Sequence, residues 1–352
     1  MNYLIIRNDG IGDLILSTPL ILAIRKIDPD SRIHLLCSER NYAFALILIE
    51  EKIIDEVHLL KSKSNFFALY KKLLSIRYEK IFILKASLSN LFFSIILKAN
   101  NIFSIVAINK GKIFKNRYSP PLLFTKIFLN AVEFIDCRNN YRNSRDIHMS
   151  THFLNLMNTK TQNTSFNKNY YYPKKLNKKS KDYINYLNRY LNLSDNKKIV
   201  IFHFDEKWDN YNYNFEEIKN FISDLNEKNH INLIITNGII KNKYEDRLIT
   251  DLELKKKDPN TYISLKNDNI LFLNNLSLKK LFYIIQFSYL VITPHGSLTH
   301  IASLYNVNLV DLIPFERKDF FLKWKSPNIN NIQCEIRNLK EITKVVTTYL
   351  ET

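Results

Sequence analysis

Two turns that contain glycine hold the residues whose types and spacing could do chemistry. The first, residues 7–13 (RNDGIGD), follows an apolar run and precedes a helix-patterned segment. A dinucleotide-binding fingerprint needs a glycine three residues after Gly12, where Ile15 stands, so an NAD site is not indicated. The turn instead delivers a carboxylate, Asp13, to the end of a strand. Taken alone, Asp13 is more typical of a helix cap, which is a common role for aspartate at a helix start.

The second turn lies in residues 293–303 (TPHGSLTHIAS), directly after an apolar run. Gly296 allows a ligand to approach the backbone closely. The free N–H groups from Ser297 onward form a helix start suited to a diphosphate, and such a site needs no metal ion. His300 follows about one helical turn later, facing a ligand or buried. The alternative is a structural turn in which Ser297 caps the helix and the histidines lie in the core.

Two further groups carry weaker signals. Residues 203–209 (HFDEKWD) contain Lys207, which could neutralise phosphate, and Trp208, which could stack on a base or sugar; a solvated loop explains them equally well. His148 and His152 have the i,i+4 spacing of two metal ligands. Since no glutamate lies between them and no third ligand is nearby, they are more typical of a helix surface.

The elements that position these turns alternate between strand-like and helix-like patterns. In chain order, the predicted strands cover residues 3–6, 33–37, 55–59, 80–84, 102–108, 198–204, 232–236, 290–292 and 308–313, and the predicted helices cover 14–26, 42–48, 65–76, 88–99, 215–225, 278–287, 298–305 and 339–350. Repeated βα units predict parallel sheets covered by helices on both faces.

One interruption of this pattern predicts two doubly wound domains. Residues 119–164 are helical and less regular, and residues 162–181 are polar and rich in Asn and Lys, as a linker would be. We expect a first domain over 1–170, a linker and connecting helix over 171–197, a second domain over 198–335, and a helix over 336–352 of the kind that often packs back on the first domain. Ligands bind at the carboxyl ends of strands in such sheets, so the site is expected in a cleft between the two domains.

Charge narrows the class of partner. The 352 residues include 51 Lys or Arg and 34 Asp or Glu, and the formal net charge of +17 favours polyanions: nucleic acid, a phosphorylated glycolipid or an anionic membrane face. The runs 174–179 and 255–257 are typical of solvated faces. Basic residues are dense in the first domain and linker, for example Lys61, Lys63, Lys71, Lys72, Arg77, Lys80, Lys110, Lys112, Lys115 and Arg117.

Cysteine and glycine usage add two constraints. Three widely spaced cysteines form neither a disulfide framework nor a metal or redox motif, and no segment resembles a signal peptide or a membrane span, so a reducing cytoplasm is the expected compartment. Only 5 glycines occur, whereas average usage would give about 25. A glycine beside a polar cluster is therefore informative, and three of the five lie in the two turns.

Two segments match the hallmarks of one enzyme family. Residues 5–20 (IIRNDGIGDLILSTPL) contain an apolar strand, Arg, a short turn, Gly-Asp, apolar residues and Thr-Pro. Residues 291–302 (VITPHGSLTHIA) contain a strand, a polar turn, then His and a helix of small residues. In both content and separation these segments resemble glycosyltransferase family 9, the heptosyltransferases that build the inner core of lipopolysaccharide. The resemblance covers nearly the whole chain.

The resemblance implies a GT-B fold, in which two Rossmann-like domains face a cleft, the first binding mainly the acceptor and the second the nucleotide sugar. Asp13 matches the catalytic aspartate of the family and would be the general base in a single inverting displacement. Its turn would form the acceptor-side loop through Arg7, Asn8, Gly10 and Gly12. The donor would be held by Lys207, His295, Gly296, Ser297, Leu298, Thr299 and His300. No metal and no cofactor is implied beyond the nucleotide-diphosphate sugar, with ADP-heptose expected first.

Two departures from the family pattern concern the donor. His295 stands where the family usually has an aspartate, so the sugar need not be heptose. The family commonly places a Lys or Arg two residues before a Trp-Pro pair. Here that place falls near Tyr211, with Tyr213 and Asn214 in place of the pair, so Lys207 would be a displaced substitute.

The expected function is therefore transfer of heptose or a related sugar to a lipopolysaccharide or lipooligosaccharide core, or to another surface glycan. The expected location is the cytoplasm, at the anionic inner face of the plasma membrane. One alternative is a related transferase with another donor or a protein acceptor. Another, motivated by charge alone, is a nucleic-acid-binding protein, a partner that the resemblance does not imply.

Overall fold

The structure is a computed structural model that describes residues 1–61, 66–85, 87–97, 99–110, 116–136, 149–157, 178–191, 197–229, 231–238, 240–264, 269–322, 324–325 and 330–351. The chain divides into two compact units, Met1–Tyr172 with Asp319–Lys325, and Pro173–Lys318 with Ser326–Thr352. Each unit has its own sheet and its own apolar core. The predicted α/β fold class with two Rossmann-like sheets is confirmed.

The first unit is built on a largely parallel sheet. Its strands are β1 (Asn2–Ile6), β2 (Arg32–Ser38), β3 (Glu56–Leu60), β4 (Lys80–Ile83), β5 (Asn101–Lys110), β6 (Asn116–Ser119) and β7 (Ala131–Asp136), and its helices are α1 (Ile11–Ile27), α2 (Glu39–Glu50), α3 (Phe66–Leu74), α4 (Leu88–Ile96), α5 (Leu122–Phe128) and α6 (Met149–Asn155). The parallel strands lie in the order β3-β2-β1-β4-β5-β7, and β6 pairs antiparallel with the second half of β5.

The second unit repeats this plan. Its strands are β8 (Ile199–His203), β9 (Asn232–Thr236), β10 (Leu254–Asp258), β11 (Thr261–Ser264), β12 (Ile270–Leu273), β13 (Leu290–Pro294), β14 (Asn308–Ile313) and β15 (Asn331–Glu335), and the remaining helices of the chain are α7 (Lys178–Asn188), α8 (Phe215–Asn229), α9 (Glu245–Asp251), α10 (Leu278–Phe287), α11 (Ser297–Leu304), α12 (Lys318–Leu322) and α13 (Leu339–Glu351). The strand order is β10-β11-β12-β9-β8-β13-β14-β15, with β10 and β11 antiparallel.

In both sheets the fourth parallel strand returns beside the first. β1 neighbours β4 in the first unit, and β8 neighbours β13 in the second. The strand order reverses at this pair, and ligands of open α/β sheets bind beside the loops at the carboxyl ends of the reversing strands. Both candidate turns follow such strands, since one follows β1 and the other follows β13.

Several elements that sequence patterns missed lack an uninterrupted apolar run; β12 (ILFL), a buried parallel strand that was not predicted, is an exception. Residues 131–136 (AVEFID) form β7, parallel to β5, where a helical segment was predicted. β10 (LKKKD) exposes its three lysines at a sheet edge, and β15 (NIQCE) lies at the opposite edge. A strand at a sheet edge is not buried on both faces, so it does not produce the continuous apolar pattern of a central parallel strand.

The C-terminal helix packs on the second unit, and the expectation that it returns to the first domain is corrected. Ile342 and Val346 of α13 are fully buried in the second core. Lys198 Nζ donates to the carbonyl of Leu350 at 2.8 Å. The apolar face of α13 is therefore used by its own sheet. Of the predicted linker and connecting helix, residues 171–197, the structure describes residues 178–191, which include α7, and residue 197; residues 171–177 and 192–196 lie outside the described residues.

Among the described residues, no helix combines the length and the apolar character needed to cross a bilayer.

Candidate active site

The first turn leads directly from β1 into α1. The Gly10 N–H donates to Asp13 Oδ2 at 3.2 Å, so the capping role considered for Asp13 is present. The Asn41 side chain donates to the Arg7 carbonyl at 2.7 Å and holds the turn against the start of α2. Gly12 lies in the first turn of α1. The backbone is thus fixed on both sides of the Asp13 carboxylate.

Arg7 is the electrostatic centre of this turn. Its buried guanidinium places Nη2 2.9 Å from Asp13 Oδ1 and Nε 3.1 Å from Asp9 Oδ1. Nη1 donates to the carbonyl of Leu84, directly after β4. The guanidinium also lies 4.9 Å from the ring centre of Phe153. Two carboxylates share one oriented cation, and the Asp13 side chain keeps 31% of its surface exposed, which makes it reachable by a substrate.

Asn8 joins the loop after β1 to the loop after β4. Its side-chain amide exchanges two hydrogen bonds with Asn90, at 3.0 and 3.2 Å. Lys85 Nζ donates to the Asn8 carbonyl at 3.3 Å. The sequence motif did not identify Asn90 or Lys85, because both are distant from the turn along the chain.

Asp9 differs from an ordinary surface carboxyl. Burial raises its pKa from 3.8 to about 6, the charge of Asp13 adds to the rise, and Arg7 and Lys85 oppose it. The folded protein therefore holds a proton on Asp9 more tightly than the unfolded chain does. The stabilising contribution of this group is complete below pH ~4 and is lost as the pH rises through about 6.

Asp9→Asn should remove this pH dependence, because the amide is uncharged throughout and its oxygen can still lie beside the Arg7 guanidinium. We expect the variant to gain about 1–3 kcal/mol relative to the parent between pH 4 and pH 7.5. Urea unfolding of both proteins at the two pH values measures this. An equal difference in unfolding free energy at both would show that burial does not perturb Asp9.

The second turn leads from β13 into α11. Gly296 occupies the cap position of α11 and Ser297 is its first helical residue, so Ser297 is not the cap. The Gly296 N–H donates to Thr299 Oγ1 at 3.2 Å. No side chain caps the helix at Gly296, and the N–H groups of its first turn, including that of Leu298, point towards the loop. The buried ring of His300 meets that of His295 edge to face at 5.6 Å.

A fully buried carboxylate, Asp311 on β14, organises this turn from the neighbouring strand. Its oxygens accept hydrogen bonds from His295 Nδ1 at 2.9 Å, from Thr299 Oγ1 at 3.1 Å and from Gln333 Nε2 at 3.0 Å. Because a carboxylate only accepts, the proton of the His295 imidazole lies on Nδ1 in this arrangement. Sequence reasoning missed Asp311. The available signal was a single carboxylate among the apolar residues 309–313 of this strand.

Lys207 reaches the second turn from the loop after β8. Its ammonium donates to the His295 carbonyl at 3.1 Å and lies 3.4 Å from Asp205 Oδ2. A methyl group at Gly296 would collide with this ammonium. Burial opposes ionisation of Asp205, but the hydrogen bond from His203 and the charges of His203 and Lys207 together hold its pKa below the ordinary value. A cation thus lies beside the half-buried N-terminus of α11.

In each unit, a cationic side chain connects the two loops that follow the reversing strands. In the first, Arg7 from the loop after β1 donates to the carbonyl that follows β4. In the second, Lys207 from the loop after β8 donates to the carbonyl that follows β13. Each cation therefore joins two loops that are far apart in the sequence, at the position where sheets of this kind bind ligands.

Two of the weaker sequence expectations are wrong. The Trp208 indole is buried among Phe202 and Phe204 and donates to the His203 carbonyl at 3.0 Å, so it does not present a face to a base or sugar. His152 is buried against Glu133 at 2.7 Å rather than on a helix surface. His148, Cys137, Lys63, Lys112, Lys115 and Gly111 lie outside the described residues.

Comparison with known proteins identifies the fold of this chain. No model of a protein family matches the sequence. No curated protein matches it either. Solved structures do match along the whole chain. The chain is similar to the glycosyl transferase family 9 protein from Veillonella parvula DSM 2008 (TM-score 0.70, 13% identity, 99% of this chain and 97% of that chain) and to E. coli heptosyltransferase WaaC with ADP (TM-score 0.68, 14% identity, 100% and 99%).

A second class of enzyme has the same fold. The UDP-GlcNAc 2-epimerase from Methanocaldococcus jannaschii matches with a TM-score of 0.58 and 12% identity, over 100% of this chain and 93% of that chain. At these identities the likeness defines the fold. The chain therefore has the GT-B fold of two Rossmann-like domains that was expected from its sequence.

Proposed function

We propose that this protein is an inverting glycosyltransferase that moves a sugar from a nucleotide-diphosphate sugar to a hydroxyl of a surface glycan. The observation that carries the proposal is the pair of equivalent turns. One presents an oriented carboxylate after β1, and the other presents helix N–H groups and an ammonium after β13. A base and a diphosphate site are the two parts that a single displacement requires.

Asp13 is the proposed general base. It takes the proton of the acceptor hydroxyl as that oxygen bonds to the anomeric carbon, and the bond from this carbon to the diphosphate oxygen breaks on the opposite face. Arg7 and the Gly10 N–H hold the carboxylate in one orientation. Because one oxygen replaces another in one step, the configuration at the anomeric carbon inverts.

The leaving diphosphate is proposed to sit at the N-terminus of α11. The first-turn N–H groups donate to its oxygens, and Lys207 adds a positive charge about 3 Å from the adjoining carbonyl. These fixed donors stabilise the charge that develops on the leaving group without rearranging. His295, held by Asp311, is the side chain proposed to contact the sugar or phosphate of the donor.

ADP-heptose is the first donor to test, because it is the donor implied by the resemblance to the heptosyltransferases. The histidine at position 295 makes another nucleotide sugar the next choice. A lipopolysaccharide or lipooligosaccharide core is the proposed acceptor.

A thermal-shift panel tests the donor site of the whole protein. ADP-, UDP-, GDP- and CMP-sugars are compared with short RNA and DNA. A donor at about 100 times its dissociation constant should stabilise its domain by ~2.7 kcal/mol, which raises Tm by about 5–10 °C. Release of nucleoside diphosphate that depends on a glycan acceptor then identifies transfer. A shift with nucleic acid alone, or conversion of the donor sugar without acceptor as an epimerase would perform, contradicts the proposal.

Gly296→Ala should weaken donor binding about tenfold or more while leaving the fold intact. The new methyl group displaces only the end of the flexible Lys207 side chain, which costs little stability but moves the charge from the diphosphate site. Titration of the best nucleotide against Gly296→Ala, Lys207→Ala and the double variant measures the effect. If the two losses add fully in the double variant, the methyl group does not act through Lys207.

A membrane-facing surface is proposed on the first unit. Large apolar side chains of α3, α4 and α5 are exposed, including Phe67 (78%), Leu123 (67%) and Ile127 (62%), and Lys71 and Lys126 are exposed beside them. The ring contact between Phe92 and Phe124 at 5.4 Å joins α4 to α5. Apolar side chains bordered by cations fit an anionic leaflet.

The double variant Leu123→Asn with Ile127→Asn tests this surface. Its co-sedimentation with vesicles that contain phosphatidylglycerol should be lower than that of the parent protein. Unchanged binding contradicts the proposed surface.

A further inference from the structure

Two histidines and a glutamate lie together in the first unit, away from both turns. His34 is on β2, and Glu56 and His58 are on the edge strand β3. The strand register pairs His34 with Glu56 and Leu36 with His58, so all three side chains lie on the face of the sheet covered by α3. The site described above uses none of them.

The ligand atoms of this cluster converge. His34 Nδ1 lies 3.0 Å from His58 Nε2 and 3.8 Å from Glu56 Oε2, and His58 Nδ1 lies 3.8 Å from Glu56 Oε1. The hydroxyl of buried Tyr78 lies 3.3 Å from His34 Nδ1. Among the described residues, this is the one group of three or more His, Cys, Asp or Glu side chains whose ligand atoms meet within 4.8 Å.

Both imidazoles are buried, and burial lowers the pKa of His58 to about 4 and lowers that of His34 as well. Burial therefore favours the neutral rings, which are the form that binds metals. The hydrogen bond from Lys72, with Nζ 2.6 Å from Oε1, lowers the pKa of Glu56 and keeps it a carboxylate. Two neutral imidazoles and a carboxylate are a recurrent ligand set for Zn²⁺.

We propose that His34, Glu56 and His58 bind a divalent transition metal of the zinc type and thereby join the edge strand β3 to β2. Zinc bonds of about 2.0–2.2 Å in a tetrahedral site separate ligand atoms by about 3.3–3.5 Å. The 3.0 Å from His34 Nδ1 to His58 Nε2 and the 3.8 Å from His34 Nδ1 to Glu56 Oε2 lie on either side of that value, and one ligand atom from each residue lies within 4.8 Å of the others. Closing the three side chains around an ion therefore requires side-chain rotation but no change in strand register.

The competing description is a pair of core histidines satisfied without metal. In the structure the rings stack with centroids 5.2 Å apart, and one donates a hydrogen bond to the other. Lys72 distinguishes the two descriptions. The Lys72 ammonium binds Glu56, so it would compete with a metal ion for this carboxylate and repel the ion. A histidine pair without metal would not depend on Lys72 in this way.

The experiment measures Zn²⁺ binding to the whole protein after removal of metal with a chelator. Equilibrium dialysis with elemental analysis gives the stoichiometry, and competition with a chromophoric chelator gives the affinity. The parent should bind one equivalent with a dissociation constant of about 1 μM or below. His34→Gln and His58→Gln should lose it. His152→Gln, which alters another buried histidine–glutamate pair, should retain it.

Variants at the surface decide the question if a histidine variant does not fold, because the side chains of Glu56 and Lys72 are 38% and 57% exposed. Glu56→Gln should weaken Zn²⁺ binding at least tenfold. Lys72→Met should strengthen it about threefold to tenfold. A parent affinity weaker than about 100 μM, an equal loss in His152→Gln, or unchanged affinity in both surface variants would overturn the proposal.

Discussion

Asp13→Asn is expected to lower sugar transfer by about 10²–10⁴-fold while leaving nucleotide binding unchanged. Gly10 and Arg7 meet different oxygens of the carboxylate, so the single amide oxygen can keep one of the two contacts and the variant loses the other at a partly exposed position. The amide cannot take a proton, and that step supplies the rate factor of a general base. The partly exposed ion pair with Arg7 contributes at most about 1 kcal/mol, so the variant should fold normally. Acceptor-dependent release of nucleoside diphosphate measures the loss.

Two other aspartates provide controls for this result. Asp28 ends the same helix and accepts a hydrogen bond from Tyr3, so Asp28→Asn should transfer sugar at the parent rate. Asp9 shares Arg7 with Asp13, and Asp9→Asn should lose less than tenfold if Asp13 is the base. The assignment moves to Asp9 if Asp9→Asn is inactive and Asp13→Asn is active.

Asp311→Asn is expected to destabilise the second unit by about 2–4 kcal/mol. The buried carboxylate accepts from three donors, and an amide at the same place would direct its own N–H₂ group at one of them. A buried donor without an acceptor costs about 1–3 kcal/mol, and loss of the charge weakens the remaining bonds. The variant should also bind the donor less tightly, because His295 loses the partner that orients it.

The two tryptophans allow this effect to be assigned to one unit. Trp208 lies in the second unit and Trp324 belongs to the first, so a Trp324→Phe background reports on the second unit alone. Urea unfolding followed by Trp208 fluorescence compares Asp311 with Asp311→Asn in this background. Asp246→Asn, whose side chain on α9 is 80% exposed, is the matched control and should change little. A loss below about 0.5 kcal/mol would show that the carboxylate does not organise the turn.

The sequence predicted most central elements because central parallel strands are buried on both faces. β9, β14 and α10 coincide with the predicted residues 232–236, 308–313 and 278–287. The edge strands β10 and β15 escaped prediction, since one face of each is open to solvent. The two turns were identified because scarce glycines fall beside polar residues in both.

The contacts between segments could not be predicted from the sequence. Lys207 and His295 are 88 residues apart, and only the adjacency of β8 and β13 brings them together. Arg7 lies close to both Asp9 and Asp13 because its side chain is buried inside the turn, and the motif alone does not show this. His34, Glu56 and His58 lie on alternate positions of two strands, so their convergence follows from the register of β2 with β3. Motifs predict turns, whereas register and strand order decide which side chains meet.

The support of His295 by another strand has a consequence for how this protein tolerates mutation. The residue at the turn and the carboxylate that orients it belong to different segments, β13–α11 and β14. Changes at 295 and 311 should therefore show epistasis. An apolar residue at 311 removes the acceptor of His295, and an apolar residue at 295 leaves Asp311 with two of its three donors, so the joint exchange should cost less than the sum of the two single exchanges. A deep mutational scan that includes double variants would then show strong coupling between positions 295 and 311, although 16 residues separate them in the chain.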